Sequence, residues 1–229
     1  MNLYKLHTNK EELIGYDKIL NVPKFAMDYV HENAKSDNTE KYKQAMNTIA
    51  NDSESAYNYA ADTIYGRFPE GEDAIFEKAD NAFYYVYTHF DERYRPAEDI
   101  ISTSTEYALR YAVDVVEGEF IAGEDAISTN AGASYNYARY ALYAPFLEGE
   151  DIIATSAKYS YKYANEVIKG RFEAGEDAIA KDAQWSYWYA KNVIKGRWEK
   201  GEGAMKTEKT DDEGTMKWWN LYLKAVLRK

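Results

Sequence analysis

The stretch SYKYANEVIKGRFEAGEDAIA (160–180) is answered 26 residues later by SYWYAKNVIKGRWEKGEGAMK (186–206), and this echo decides the fold. Working back, the phrase opened by Gly175 and Gly201 recurs at Gly149 (GEDIIA), Gly123 (GEDAIS) and Gly71 (GEDAIF). Ala97 (AEDIIS) occupies the one remaining 26-residue step. Six consecutive units without an insertion or deletion mark a repeat array rather than a globular enzyme. Such an array is stable through contacts between neighbours.

Each unit reads as two helices. On the longer one, Tyr57, Phe83, Leu109, Tyr135, Tyr161 and Tyr187 form a first apolar column. Tyr59, Tyr85, Tyr111, Tyr137, Tyr163 and Tyr189 form a second. A small column (Ala60, Val86, Ala112, Ala138, Ala164, Ala190) and a larger one (Ile64, Phe90, Val116, Leu142, Ile168, Ile194) complete a helical spacing that predicts a core face. Gly66, Gly118, Gly170 and Gly196 fit left-handed caps at the helix end; Glu92 and Ala144 break that column, and those two turns are expected to differ. Arg67, Arg93, Arg171 and Arg197 follow. An aromatic (Phe68, Tyr94, Phe120, Phe146, Phe172, Trp198) is then expected to plug the corner.

The second helix opens on the acidic pairs Glu72-Asp73, Glu98-Asp99, Glu124-Asp125, Glu150-Asp151 and Glu176-Asp177, with Glu202-Gly203 in the last unit. Carboxylates suit the positive end of the helix dipole. The fold expected is therefore all-α: an α-solenoid of about six 26-residue two-helix repeats with capping helices at both ends. Residues 1–53 read as an N-terminal cap holding a degenerate repeat, in which Ala45 is a faint copy of Gly71, preceded by a helical piece at about 10–21. Residues 54–205 are the array. Residues 206–229 are a polar loop and a closing helix in which Trp218, Trp219, Tyr222 and Val226 cover the last repeat.

Composition narrows the function classes. The 229 residues include 23 tyrosines and no cysteine, which excludes disulfides and thiolate metal sites and points to a reducing cytosol. Neither a signal peptide nor a membrane-spanning run is legible. The net charge is −11, and residues 54–205 hold 27 acidic against 15 basic side chains. That charge repels nucleic acid and anionic membrane and favours a partner with a basic surface. Only three histidines exist, His7, His31 and His89, and His89 falls in an apolar column as a packed substitution. No phosphate loop, HExxH or GxSxG is present, so no catalytic residue, metal or cofactor is expected.

Two surfaces remain as candidates. On the long helix, three columns change identity from unit to unit, and Tyr65, Tyr84, Tyr140, Tyr143 and Trp188 stand on them. Exposed aromatics are what a protein-binding surface needs. The second candidate is the acid row, Glu72, Asp73, Glu98, Asp99, Glu124, Asp125, Glu150, Asp151, Glu176 and Asp177. It reads either as helix capping with arginine pairing or as a negative ladder imitating a phosphate backbone.

The phrases YANEVIKGRFEAGEDAIAKDAQWSYWYAKNVIKGRWEKGE (163–202) resemble a helical repeat of uncharacterised tailed-bacteriophage proteins, which alternates YA.DVIKGRWPEAE with a short helix. The resemblance covers 54–205 and departs around 80–100 and 144–146. It implies a helical array from a phage or prophage and supplies no catalytic residues. The function expected is non-enzymatic: a protein-binding scaffold in the bacterial cytoplasm that inhibits a host or defence protein. The alternatives are a nucleic-acid mimic using the acid row, a self-assembling homo-oligomer, or a small-ligand sponge.

Overall fold

The computed structural model describes residues 20–33, 39–207 and 216–227, and every regular element among them is helical. The helical piece expected at 10–21 and the polar loop at 207–215 fall almost wholly outside the described residues. By contacts the chain divides into two compact units, 1–101 and 102–229, a division that falls within the repeat array. Within each unit, consecutive repeats are neighbours.

In the first unit, Pro23–Glu32 and Glu40–Ala50 pack against each other. Ala45 and Ile49 of the second of these are fully buried, 26 residues before Gly71 and Ile75, which are also buried. The first regular repeat follows, with a long helix starting at Ser53–Asn58 and a short one at Glu72–Ile75. The second repeat has Ala79–His89 and Glu98–Ile101.

The second unit holds four repeats. Their long helices begin at Thr105–Tyr111, Ala131–Tyr137, Ala157–Lys162 and Ala183–Tyr189. Their short helices are Ile121–Ile127, Glu150–Ala154, Glu176–Ile179 and Glu199–Thr207. The closing helix, Lys217–Tyr222 with a last turn over Leu223–Leu227, packs on the sixth long helix; Tyr222 is fully buried and Trp218 lies 5.6 Å from Tyr187.

Side-chain caps start most long helices. Asp52, Ser104, Asn130, Ser156 and Asp182 each accept a backbone N–H from the first turn. Lys78, at the same position of the second repeat, makes no cap.

The long helices end differently from the sequence expectation. Five widen into a π-turn, over Tyr59–Ile64, Ala112–Val116, Ala138–Leu142, Tyr163–Ile168 and Ala190–Ile194. The left-handed residue is then the one before the glycine: Tyr65, Glu117, Tyr143, Lys169 and Lys195, with φ of 50–58°. Its N–H and that of the next residue both bond to one carbonyl of the small column, as at Ala60 and Ala164. The extra residue in a π-turn displaces the cap by one position. Gly66, Gly118, Gly170 and Gly196 lie outside the left-handed region, and nothing in the structure requires glycine there. Ala144 accordingly replaces that glycine with the turn unchanged, its N–H 3.2 Å from the Ala138 carbonyl.

The turn at Glu92 does differ. Ala79–His89 stays α-helical, and Phe90 is extended (φ −129°, ψ 138°). The fourth apolar column is not the expected core in any repeat: Ile64 is 40% exposed, and Phe90, Val116, Leu142, Ile168 and Ile194 are only half-buried. The second column is the true core: Tyr85, Tyr111, Tyr137, Tyr163 and Tyr189 are fully buried.

The glycine of the GED phrase is required by space. A Cβ at Gly71, Gly123, Gly149, Gly175 or Gly201 would come within 2.4–2.6 Å of the corner aromatic or of Ser134, Ser160 and their counterparts on the long helix. Phe68, Phe120, Phe146, Phe172 and Trp198 fill that corner, 4.9–5.1 Å from the buried tyrosine of their own repeat. In the second repeat Tyr94 leaves the corner, lies 4.1 Å from Phe90, and donates its hydroxyl to Glu72. That displacement frees the volume in which the Ala97 methyl is fully buried.

Candidate functional site

The acid row splits into two chemically different rows. Its glutamates point inward. Glu72, Glu124, Glu150 and Glu176 each accept a hydrogen bond from a buried tyrosine of the next repeat: Tyr85 (3.0 Å), Tyr137 (2.8 Å), Tyr163 (2.9 Å) and Tyr189 (3.0 Å). The same hydroxyls accept the backbone N–H of Phe68, Phe120, Phe146 and Phe172 at 2.8–3.1 Å. In the closing helix Tyr222 repeats both bonds, to Glu202 and to the Trp198 N–H. The tyrosine hydroxyl thus locks one repeat to the preceding corner and satisfies a buried donor that would otherwise be orphaned.

Arginine completes the lattice. Arg67 pairs with Glu72, Arg93 with Glu98, Arg171 with Glu176 and Arg197 with Glu202, each five residues on. Hydrogen bonds from Arg197 and Lys206 hold the Glu202 carboxyl down at about 2. At Glu124 the arginine position is Glu119. Burial is the main cause that pushes the Glu124 carboxyl up, the Tyr137 bond opposes it, and Glu148, Glu119 and Asp125 add to it. Burial likewise pushes the lattice tyrosines up, Tyr189 to about 12.

As a ligand-facing ladder the row therefore loses its glutamates to the interior. Only Asp73, Asp99, Asp125, Asp151 and Asp177 are exposed, and Asp177 pairs with Lys200 at 2.8 Å. The tyrosine register was legible in the sequence, but its bond to the glutamate was not, because the partners stand in different repeats.

The five candidate aromatics fall in both units. Tyr65 and Tyr84 lie in the first, Tyr140, Tyr143 and Trp188 in the second. Tyr65 and Tyr143 are the most exposed, at 80% and 76%; Tyr140 is 48% and Tyr84 38% exposed. Trp188 is half-buried and packed, 4.9 Å from Tyr187 and 6.3 Å from Trp218 of the closing helix. It serves the closing contact as much as any outer surface. Tyr65 and Tyr143 hold the left-handed backbone described above, a conformation that costs a non-glycine residue about 1 kcal/mol.

Sequence reading missed two columns of the second unit. Tyr159 and Trp185 lie against the first-column tyrosines of the preceding repeat, 5.9 Å from Tyr135 and 5.5 Å from Tyr161. The column Arg139, Asn165, Lys191 lines cavities at the π-turns. Its clue was a change from apolar Val113 to polar side chains, two of the three cationic, along the array. Tyr135 and Arg139 both donate to Glu166, and Asn192 donates to Tyr161 at 2.7 Å.

The described residues hold no cluster of three or more histidines or acids able to bind a metal, and no helix among them is long and apolar enough to cross a membrane. His89 packs against Tyr85 at 5.3 Å, its buried Nε2 has no hydrogen-bond partner, and burial pushes its pKa down. It is a packed substitution in an apolar column. The chain matches no family model, no curated protein and no solved structure.

Proposed function

We propose that the chain is a non-enzymatic scaffold that binds a protein partner through the variable side chains at the ends of its long helices. The observation that carries this reading is the left-handed row. The backbone at Tyr65, Glu117, Tyr143, Lys169 and Lys195 favours glycine, yet the chain places large side chains there and leaves a glycine one residue beyond in four of the five. Strain retained at solvent-facing side chains is a signature of function rather than of packing. The row carries tyrosine, glutamate and lysine in different repeats, while the buried tyrosine beneath recurs in every repeat. The resemblance to phage repeats directs the finer reading, an inhibitor of a host or defence protein acting inside the bacterial cell.

The test separates stability from recognition. Tyr65→Gly and Tyr143→Gly relieve the strain and are expected to raise stability by up to about 1 kcal/mol each. They are also expected to abolish retention of the protein that the wild-type chain captures from bacterial lysate. Partner retention undiminished in the double variant would exclude the tyrosines as contacts. Trp188→Ala is the poorer probe, because it also damages the closing helix contact.

A further inference from the structure

The second unit contains a cationic cavity of about 470 Å³ formed by Asn165, Lys191, Asn192, Lys195, Ala225 and Val226. We infer that it is a binding site for a small phosphate ester, built in part from Lys195 of the left-handed row. Three turns converge to build it: Tyr163–Ile168, Ala190–Ile194 and Leu223–Leu227 of the closing helix. The polar lining residues are two lysines and two asparagines, with no Asp or Glu among the described residues.

Residues 157–229 carry 15 basic and 11 acidic side chains, and neither Lys191 nor Lys195 has a carboxylate within 4.0 Å among the described residues. Lys200 and Lys206, a few residues on, are each paired, to Asp177 and Glu202. Lys191 is positioned over the Trp188 ring at 5.0 Å and the Tyr187 ring at 5.5 Å. Lys195 is one of the left-handed residues, so backbone strain is retained at one of the two ammonium groups. Asn192 spends one amide hydrogen on Tyr161. The Asn165 side chain makes no hydrogen bond within the described protein, which leaves its amide available to a ligand.

The donor set selects among anions. Planar carboxylates are matched best by the arginine fork, and among the described residues no arginine lines this cavity, whereas lysine acts as a point charge suited to phosphate. Two ammonium groups balance a phosphate dianion. Ala225 and Val226 form an apolar wall for the organic group of the ester. A cavity of about 470 Å³ is the size of a small-ligand pocket rather than of a track for a polymer.

An amide NMR titration of the whole protein tests this, with inorganic phosphate, phenyl phosphate, benzoate and a short single-stranded oligonucleotide as probes. Saturable shifts are expected at Asn165, Asn192 and Lys195, with phenyl phosphate the tightest of the four. K191Q and K195Q should each weaken phenyl phosphate about tenfold, the effect of one charge-assisted hydrogen bond. K181Q, at an exposed lysine outside the cavity, should leave it unchanged. Shifts that do not saturate, or that persist equally in K191Q and K195Q, overturn the site. Benzoate binding as tightly as phenyl phosphate overturns the phosphate assignment, and an oligonucleotide binding tighter than both overturns the small-ligand one.

Discussion

The buried hydroxyl of Tyr163 is bonded on both sides, to the Phe146 N–H at 2.9 Å and to Glu150 at 2.9 Å. Removing it orphans a buried backbone donor, whose uncompensated desolvation costs about 1–3 kcal/mol. Tyr163→Phe, which keeps the ring and so the packing, is expected to lower the unfolding free energy from denaturant titration by that amount. Loss below about 0.5 kcal/mol would show that the lattice bond is dispensable. Glu119 is the converse case. It stands where Arg67, Arg93, Arg171 and Arg197 pair with a glutamate five residues on, and it faces Glu124 with a like charge. Glu119→Arg is expected to stabilise the protein at neutral pH by up to about 1 kcal/mol, the upper range for a pair with one solvent-exposed member. It should also lower the Glu124 pKa, read by carboxyl NMR titration. An unchanged midpoint with an unchanged Glu124 titration would exclude the pairing. The arginine column was legible in the sequence; its exceptions acquire a meaning only once the glutamate is known to be buried.

Among the elements, the second repeat departs from the others at several linked points. Lys78 gives its long helix no cap, Val86 replaces alanine in the small column, the helix ends without a π-turn, and Tyr94 leaves the corner. Each of these sits where another repeat shows the regular solution. Lys78→Asp copies the cap that Asp52 and Asp182 make, and it is expected to add about 1 kcal/mol. The check is a thermal midpoint against Lys78→Ala, which removes the lysine without supplying an acceptor. Equal midpoints for the two variants would rule out capping at this site. The repeat boundaries and the odd second unit could be read from the one-dimensional pattern. The π-turns could not, because a helix closing i→i−5 keeps the same apolar periodicity until its last turn and betrays itself only in the backbone bonds.

For the molecule as a whole, the tyrosine lattice sets the alkaline limit. Burial raises the pKa of Tyr59 and Tyr189 to about 12 and pushes Tyr85, Tyr135, Tyr137 and Tyr163 up as well, all from 10.0. A tyrosine raised on folding binds its proton more tightly in the native state, so its contribution is complete below pH 10 and is lost as pH rises through the folded pKa. Stability is therefore expected to fall steeply above pH 10, with tyrosinate absorbance and helix loss rising together. Ionisation of all 23 tyrosines with the helices intact would show that the buried hydroxyls titrate without unfolding. At the acid end, Glu202 adds stability that is full above its ordinary value of 4.5 and lost as pH falls toward about 2.

By itself the sequence determined the all-helical class, the 26-residue register and the closing helix, because each is a local pattern of side-chain size and spacing. It also marked Tyr65 and Tyr143 as surface aromatics. What only the tertiary structure decided were pairings between residues far apart in the chain. The glutamates of the acid row turn inward because hydroxyls from the next repeat and arginines beside them supply the partners that burial demands. Trp188 is covered because the closing helix returns to it. The phosphate-ester cavity exists because three turns meet. Periodicity names the residues that share a face, but which polar groups can be buried depends on partners that only packing brings within hydrogen-bond reach.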